Sequence, residues 1–134
     1  MSSTRLPAAI AQFFEQYRAA FNRLDGEAIA QLYAAPSGIV TDEGYTHWPD
    51  FNAVKSNMIA LCTQYRDSGY LEARFAPSAF LAQGQHHAVV DVCWSIRRST
   101  DLPPWQFNTT YNLRHTREGW RIQLCTAYEE KRLN

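Results

Sequence analysis

Neither sign of charge prevails in this sequence: thirteen Lys plus Arg are cancelled by thirteen Asp plus Glu. The chain therefore has no net field with which to hold a phosphate backbone or an anionic lipid surface, and neither nucleic acid nor membrane is expected as a partner. Long apolar runs are missing too. Nothing approaches the 18 or so residues of a membrane span, and MSSTRLPAAIAQFFEQY turns polar too soon for the core of a signal peptide, so a cytoplasmic location is expected. Cysteine is scarce. Cys62, Cys93 and Cys125 are odd in number and far apart, with no CxxC or Cys/His ligand spacing. That argues against a disulfide framework and a zinc site, and leaves the three as buried small hydrophobes. Six glycines and six prolines are scattered as punctuation, without a repeat, a linker or a low-complexity tract. Also lacking are a phosphate loop, a nucleophile elbow, a dinucleotide fingerprint and a HExxH helix, so no cofactor and no metal are expected.

What is present is apolar surface. The 134 residues are 46% hydrophobic and include 18 aromatics, enough for one full domain over residues 1–134 and too much for a disordered chain. From Pro7 to Leu24, Ile10, Phe13, Phe14, Tyr17, Phe21 and Leu24 recur at helical spacing, which predicts an amphipathic helix. Asp25 is placed to cap a second, short helix carrying Ile29, Leu32 and Tyr33, which Pro36 stops. An extended piece, Gly38 to Asp42, precedes a Glu43-Gly44 turn. Trp48-Pro49-Asp50 then introduces a third helix with Phe51, Val54, Met58, Leu61, Cys62 and Tyr65 on one face and Gly69 as its stop.

The second half changes period. Tyr70 to Gln83, His86 to Ser99, Trp105 to Thr116 and Trp120 to Tyr128 read as four long strands, joined at Gln83-Gly84-Gln85, Asp101-Leu102-Pro103-Pro104 and Arg117-Glu118-Gly119. Links this short permit only hairpins, so the sheet is a mainly antiparallel meander with three helices on one face, an α+β architecture. Trp105, Phe107, Thr109, Tyr111 and Leu113 alternate with polar residues and should point inward.

Helix, helix, short strand, helix and a long curled sheet resemble the NTF2-like superfamily, the cone-shaped fold shared by ketosteroid isomerases and polyketide cyclases of the SnoaL type. Gln16-Tyr17-Arg18-Ala19-Ala20-Phe21-Asn22, continuing through Asp25 to Ile29-Ala30-Gln31-Leu32-Tyr33, is similar to the first two helices of the isomerases. Trp120-Arg121-Ile122-Gln123 with Ala127-Tyr128 is similar to their last strand. The resemblance implies a cystatin-like cone with an internal pocket, and it places an oxyanion-binding tyrosine at Tyr17. The second oxyanion donor of the isomerases falls on Tyr111. Their general-base aspartate falls on Thr41, with Asp42 the adjacent carboxylate, and a cavity residue falls on Glu129.

Asp42 is thus the candidate general base, with Tyr17 and Tyr111 as donors to a developing oxyanion. Phe13, Tyr33, Met58, Val92 and Trp94 are the candidate ligand-binding residues of a pocket between the helices and the concave sheet, suited to a small apolar or aromatic molecule. For each there is a structural alternative: Asp42 as a solvated turn residue, the aromatics as core. Asp91 interrupts the run Val89 to Trp94 and would face away from the pocket, paired with an arginine. His47 reads as a residue leading into the third helix, and His86 and His87 as surface groups. Arg74, Arg97 and Arg98 read as exposed ion-pair partners, and Glu129-Glu130 as a solvated tail. Two functions stay open: cofactor-free proton transfer next to a carbonyl (isomerisation, cyclisation or dehydration), or a non-catalytic ligand-binding or dimerisation module. Asn108, Thr110 and Asn112 give the outer sheet face the mixed character expected of a homodimer contact.

Overall fold

Helix α1 (Ala8–Asn22) starts at Pro7, whose carbonyl accepts from the amides of Ile10 and Ala11, and buries the stripe Ile10, Phe13, Phe14, Tyr17, Ala20 and Phe21. Its last residue, Asn22, accepts from the Ala73 amide at 2.8 Å and from the Tyr70 hydroxyl, which ties the helix end to the edge of the sheet. A computed structural model describes residues 4–99 and 102–129 of the chain. In α2 (Gly26–Ala30), Asp25 caps as expected, accepting from the Ala28 amide at 3.1 Å. Gly26 is required by close approach: a Cβ there would lie 2.7 Å from the backbone nitrogen of Ile59 on α3 (Phe51–Asp67). The spacing of Leu32 and Tyr33 suggests a longer helix, but α2 ends at Ala30. Past it, Ile122 captures the backbone, accepting from the Ala34 amide and donating to the Leu32 carbonyl, and Tyr33 forms a parallel bridge to Ile122. Tertiary hydrogen bonds override the helical pattern.

The extended piece is β1 (Ser37–Thr41), one residue earlier than the sequence suggests, so Asp42 belongs to the turn. Asp42-Glu43 leads straight into a strand that the sequence does not announce, β2 (Gly44–Trp48), antiparallel to β1. Of its five residues only Trp48 is buried, so β2 lacks the alternation by which a half-buried strand is read. Tyr45 lies over Gly38, where a Cβ would meet its ring at 2.6 Å. Helix α3 is capped by Asp50 on the Ala53 amide at 2.9 Å and is followed by Gly69 at φ +81°.

Strands β3 (Tyr70–Gln83), β4 (His87–Arg98), β5 (Trp105–Thr116) and β6 (Gly119–Tyr128) form the antiparallel meander, and β1 adds to β6 in parallel through Ile39↔Cys125 and Val40↔Thr126. The order is β2-β1-β6-β5-β4-β3, a curled six-stranded sheet with the helices on its concave side, and the class is α+β. Of the link between β4 and β5, Asp101 lies outside the described residues, as does Glu130 of the tail. Pro77 is tolerated because β3 is an edge strand, with register shifts at Tyr70/Glu72 and Pro77/Ala79 that help the sheet to curl. Inward parity follows the sequence pattern: Thr109, Tyr111 and Leu113 are buried, as are Val90, Val92, Trp94 and Ile96 on β4. The cysteines divide, because Cys62 and Cys125 are buried whereas Cys93 is exposed on the outer face. No helix among the described residues is long and apolar enough to cross a membrane.

Candidate functional site

The concave side encloses a cavity of about 450 Å³. Its floor gathers residues from five elements or their ends: Tyr17 from α1, Tyr33 after α2, Trp94 from β4, Tyr111 from β5 and Cys125 from β6. All five are at most 7% exposed. The Tyr17 and Tyr33 hydroxyls are 2.8 Å apart, Tyr33 lies 3.8 Å from the Cys125 sulfur, and the Trp94 indole N–H donates to the Tyr111 hydroxyl at 2.9 Å. Aromatic edges lock the group, with Tyr17 centred 5.7 Å from Tyr111 and 6.1 Å from Tyr33.

Burial governs the protonation of this floor. It holds the Tyr17 phenol well above 10.0, with Tyr111 and Tyr33 adding in the same direction, and it holds Tyr33 high together with Cys125. Tyr111 is likewise raised by burial, against the opposing pull of Trp94, Tyr17 and Thr109. The Cys125 thiol is pushed up from 9.0 to about 12 by burial, against the Tyr33 hydrogen bond. At neutral pH the floor therefore holds neutral phenols and a thiol, which are hydrogen-bond donors and not bases.

Among the described residues, ionisable carboxylates line the cavity only at its rim. Asp42 and Glu43 are exposed in the β1–β2 turn, and Glu129 accepts from the Trp105 indole at 3.2 Å. No Lys, Arg or His is among the lining residues described. Of the sequence candidates, Asp42, Tyr17, Tyr111, Tyr33, Met58 and Trp94 border the cavity. Phe13 and Val92 do not; they are buried in the core beside it. Phe13 packs edge-on against Phe14, and Val92 has the inward parity of Trp94 at a different depth along β4. The sequence reading missed Trp48 and Cys125 as lining residues. Leu61, Tyr65, Trp105 and Phe107 were visible only as members of apolar stripes.

Asp91 is buried on the outer face, where Ser78, Thr110 and Tyr128 hydroxyls donate to its carboxylate at 2.8 to 3.0 Å. Among the described residues, three hydroxyls hold this carboxylate, and it faces away from the cavity as the strand parity predicts. His47 lies on β2, with Nδ1 3.0 Å from the Tyr45 hydroxyl. His86 and His87 are exposed, Arg74 and Arg97 lie within ion-pair distance of Glu72, and Arg98 donates to the Pro103 carbonyl. Among the described residues no three metal-ligating side chains come together.

Residues 8–130 match the model of a family described as NTF2-like protein (DUF6841). No curated protein matches the chain. Several solved structures share the fold. A domain of unknown function with a cystatin-like fold from Nostoc punctiforme superposes with a TM-score of 0.73 at 20% identity, covering 94% of this chain and 78% of the other. An NTF2-like protein of unknown function from Shewanella oneidensis gives 0.72 at 18%, covering 89% and 95%. A ketosteroid isomerase-like protein from Erwinia carotovora atroseptica gives 0.69 at 14%, covering 93% and 96%. At such identities the likeness is one of fold.

Proposed function

The chain belongs to the NTF2-like protein family, and on that footing we propose that it binds a small, largely apolar molecule in the cavity and acts on it by proton transfer next to a carbonyl. The observation that carries this reading is the division of the cavity: neutral phenols and an indole at the floor, carboxylates at the rim. A ligand carbonyl seated at the floor would take hydrogen bonds from Tyr17 or Tyr111, which stabilise the negative charge as it develops on oxygen. Asp42 at the rim would remove the proton. The carboxylates at the rim, among the described residues, suit a neutral or cationic ligand and repel a carboxylate.

A screen of small ketones, steroids and aromatic acids by thermal shift tests the binding half: a neutral ketone or steroid should raise Tm, and its carboxylate analogue should raise it less. With a turnover substrate in hand, Asp42→Asn should abolish the reaction and spare binding, and Tyr17→Phe should slow it by roughly 10² to 10³. Full activity in Asp42→Asn ends the catalytic half. The pairing of the Tyr17 and Tyr33 hydroxyls with each other, and of the Tyr111 hydroxyl with the Trp94 indole, also favours a second reading, a binding module without turnover, in which neither substitution changes any rate.

We also propose a homodimer through the outer sheet face. There Asn112 stands opposite Leu124 and Thr110 opposite Thr126, a mixed surface of half-buried side chains. Sedimentation showing a monomer at micromolar concentration rules it out.

A further inference from the structure

A second hollow, about 650 Å³, lies outside the cavity, between the tip of the β5–β6 hairpin and the segment that follows α2. Its chemistry is opposite. Arg114, Arg117 and Arg121 line it, with Glu118 as the one carboxylate among the lining residues described. Arg114 and Arg121 are direct cross-strand partners, an arrangement that sets two like charges side by side and costs stability unless something compensates it. Among the described residues no carboxylate forms an ion pair with any of the three guanidiniums. They are nevertheless positioned. Arg114 donates to Gln123 at 3.0 Å, Gln123 donates to the Pro36 carbonyl at 2.6 Å, and Arg121 donates to the Trp120 carbonyl at 2.7 Å.

We propose that this cleft binds the phosphate of a small phosphomonoester that carries a flat ring, of the nucleoside monophosphate class. Three guanidiniums against one carboxylate leave two positive charges, which matches a phosphomonoester dianion better than a single carboxylate. Planar guanidiniums also pair with phosphate oxygens in forked geometry. Phe51, 38% exposed at the start of α3, borders the same hollow and offers a ring face for the rest of the molecule. The volume falls in the usual range for small-ligand sites. Tyr33 borders both hollows, so this site lies directly behind the phenol floor.

The test is calorimetric titration of the full chain with AMP, inorganic phosphate and malonate at low and physiological salt. AMP should bind saturably at one site and tighter than phosphate. Arg114→Gln and Arg121→Gln should each weaken it at least about tenfold, and Tyr111→Phe should leave it unchanged. Folding of the variants is checked in the same samples, because removing one of two facing like charges should leave the ligand-free Tm equal or higher while abolishing its rise with AMP. No saturable binding of AMP up to about 10 mM, or equal binding by wild type and Arg121→Gln, overturns the site. Malonate binding tighter than AMP overturns its assignment to phosphate, and phosphate binding as tightly as AMP overturns the role of Phe51.

Discussion

Within one cavity, Tyr17, Tyr33 and Tyr111 at the floor are 3 to 7% exposed and tied into hydrogen bonds, whereas Asp42 and Glu43 at the rim are exposed in a two-residue turn between β1 and β2. The floor is part of the hydrophobic core, and its donors are held by the packing that holds the fold together. The rim contributes nothing to that core. Substitutions at the floor should therefore register in stability first, and those at the rim in function alone.

The largest effect expected is that of Trp94→Ala, which empties a buried ring position and strips the Tyr111 hydroxyl of its donor. It should cost about 3 to 5 kcal/mol in urea unfolding. Tyr111→Phe keeps the ring and removes the acceptor, leaving the indole N–H buried without a partner, at about 1 to 3 kcal/mol. A cost near zero would mean that the Trp94–Tyr111 bond holds nothing, and the comparison would fail at its stronger end.

Alkaline pH probes the same region without mutation. Raised folded pKa values mean that the neutral phenols and thiol favour the folded state. This contribution is whole below the unfolded values and is lost as pH climbs through the folded ones. Stability should begin to fall above about pH 9 from Cys125, and above about pH 10 from the tyrosines. The loss should run through about 12 for Cys125 and for Tyr70, which is raised mainly by burial, and the floor phenols, also raised by burial, should lose their protons well above 10.0. Phenolate absorbance that rises with a single midpoint near 10, with the fold intact, contradicts this. Smallest of all is Asp42→Asn, expected within about 0.5 kcal/mol of wild type in the same urea titration. A larger loss would place the rim in the framework and erase the contrast.

The floor was legible in the sequence because two periodicities point at it. Tyr17 falls in the 3.6-residue stripe of α1, and Trp94 and Tyr111 fall on the inward parity of β4 and β5. Parity, however, fixes a face and not a depth. Val92 shares the face of Trp94 and still lies in solid core, and Phe13, one turn from Tyr17, packs away from the hollow. The rim was less legible. β2 keeps four of its five residues exposed, so it carries no alternating signature, and without it the sequence left Asp42 open between a residue of the extended piece facing the cavity and a solvated turn residue. The early end of α2 escaped for a different reason, since it depends on Ile122, nearly ninety residues further along the chain. The arginine cleft left no periodic signal, because it arises from cross-strand register and the approach of a loop.

The parallel docking of β1 against β6 bears on the order in which the molecule can be completed. Ile39 and Cys125, facing each other across that seam, both form cavity wall, and the backbone of residues 32–34 is satisfied by the same late strand. On a ribosome the chain emerges from its N-terminus, so the two opening helices and the β1–β2 hairpin exist well before β6 does. Until β6 arrives, β1 and β5 each present an unpaired edge, and the hollow stays open on one side. Any ligand that requires the closed wall can engage only a finished chain, and a nascent chain stalled before Gly119 would be open to edge-to-edge association with its neighbours.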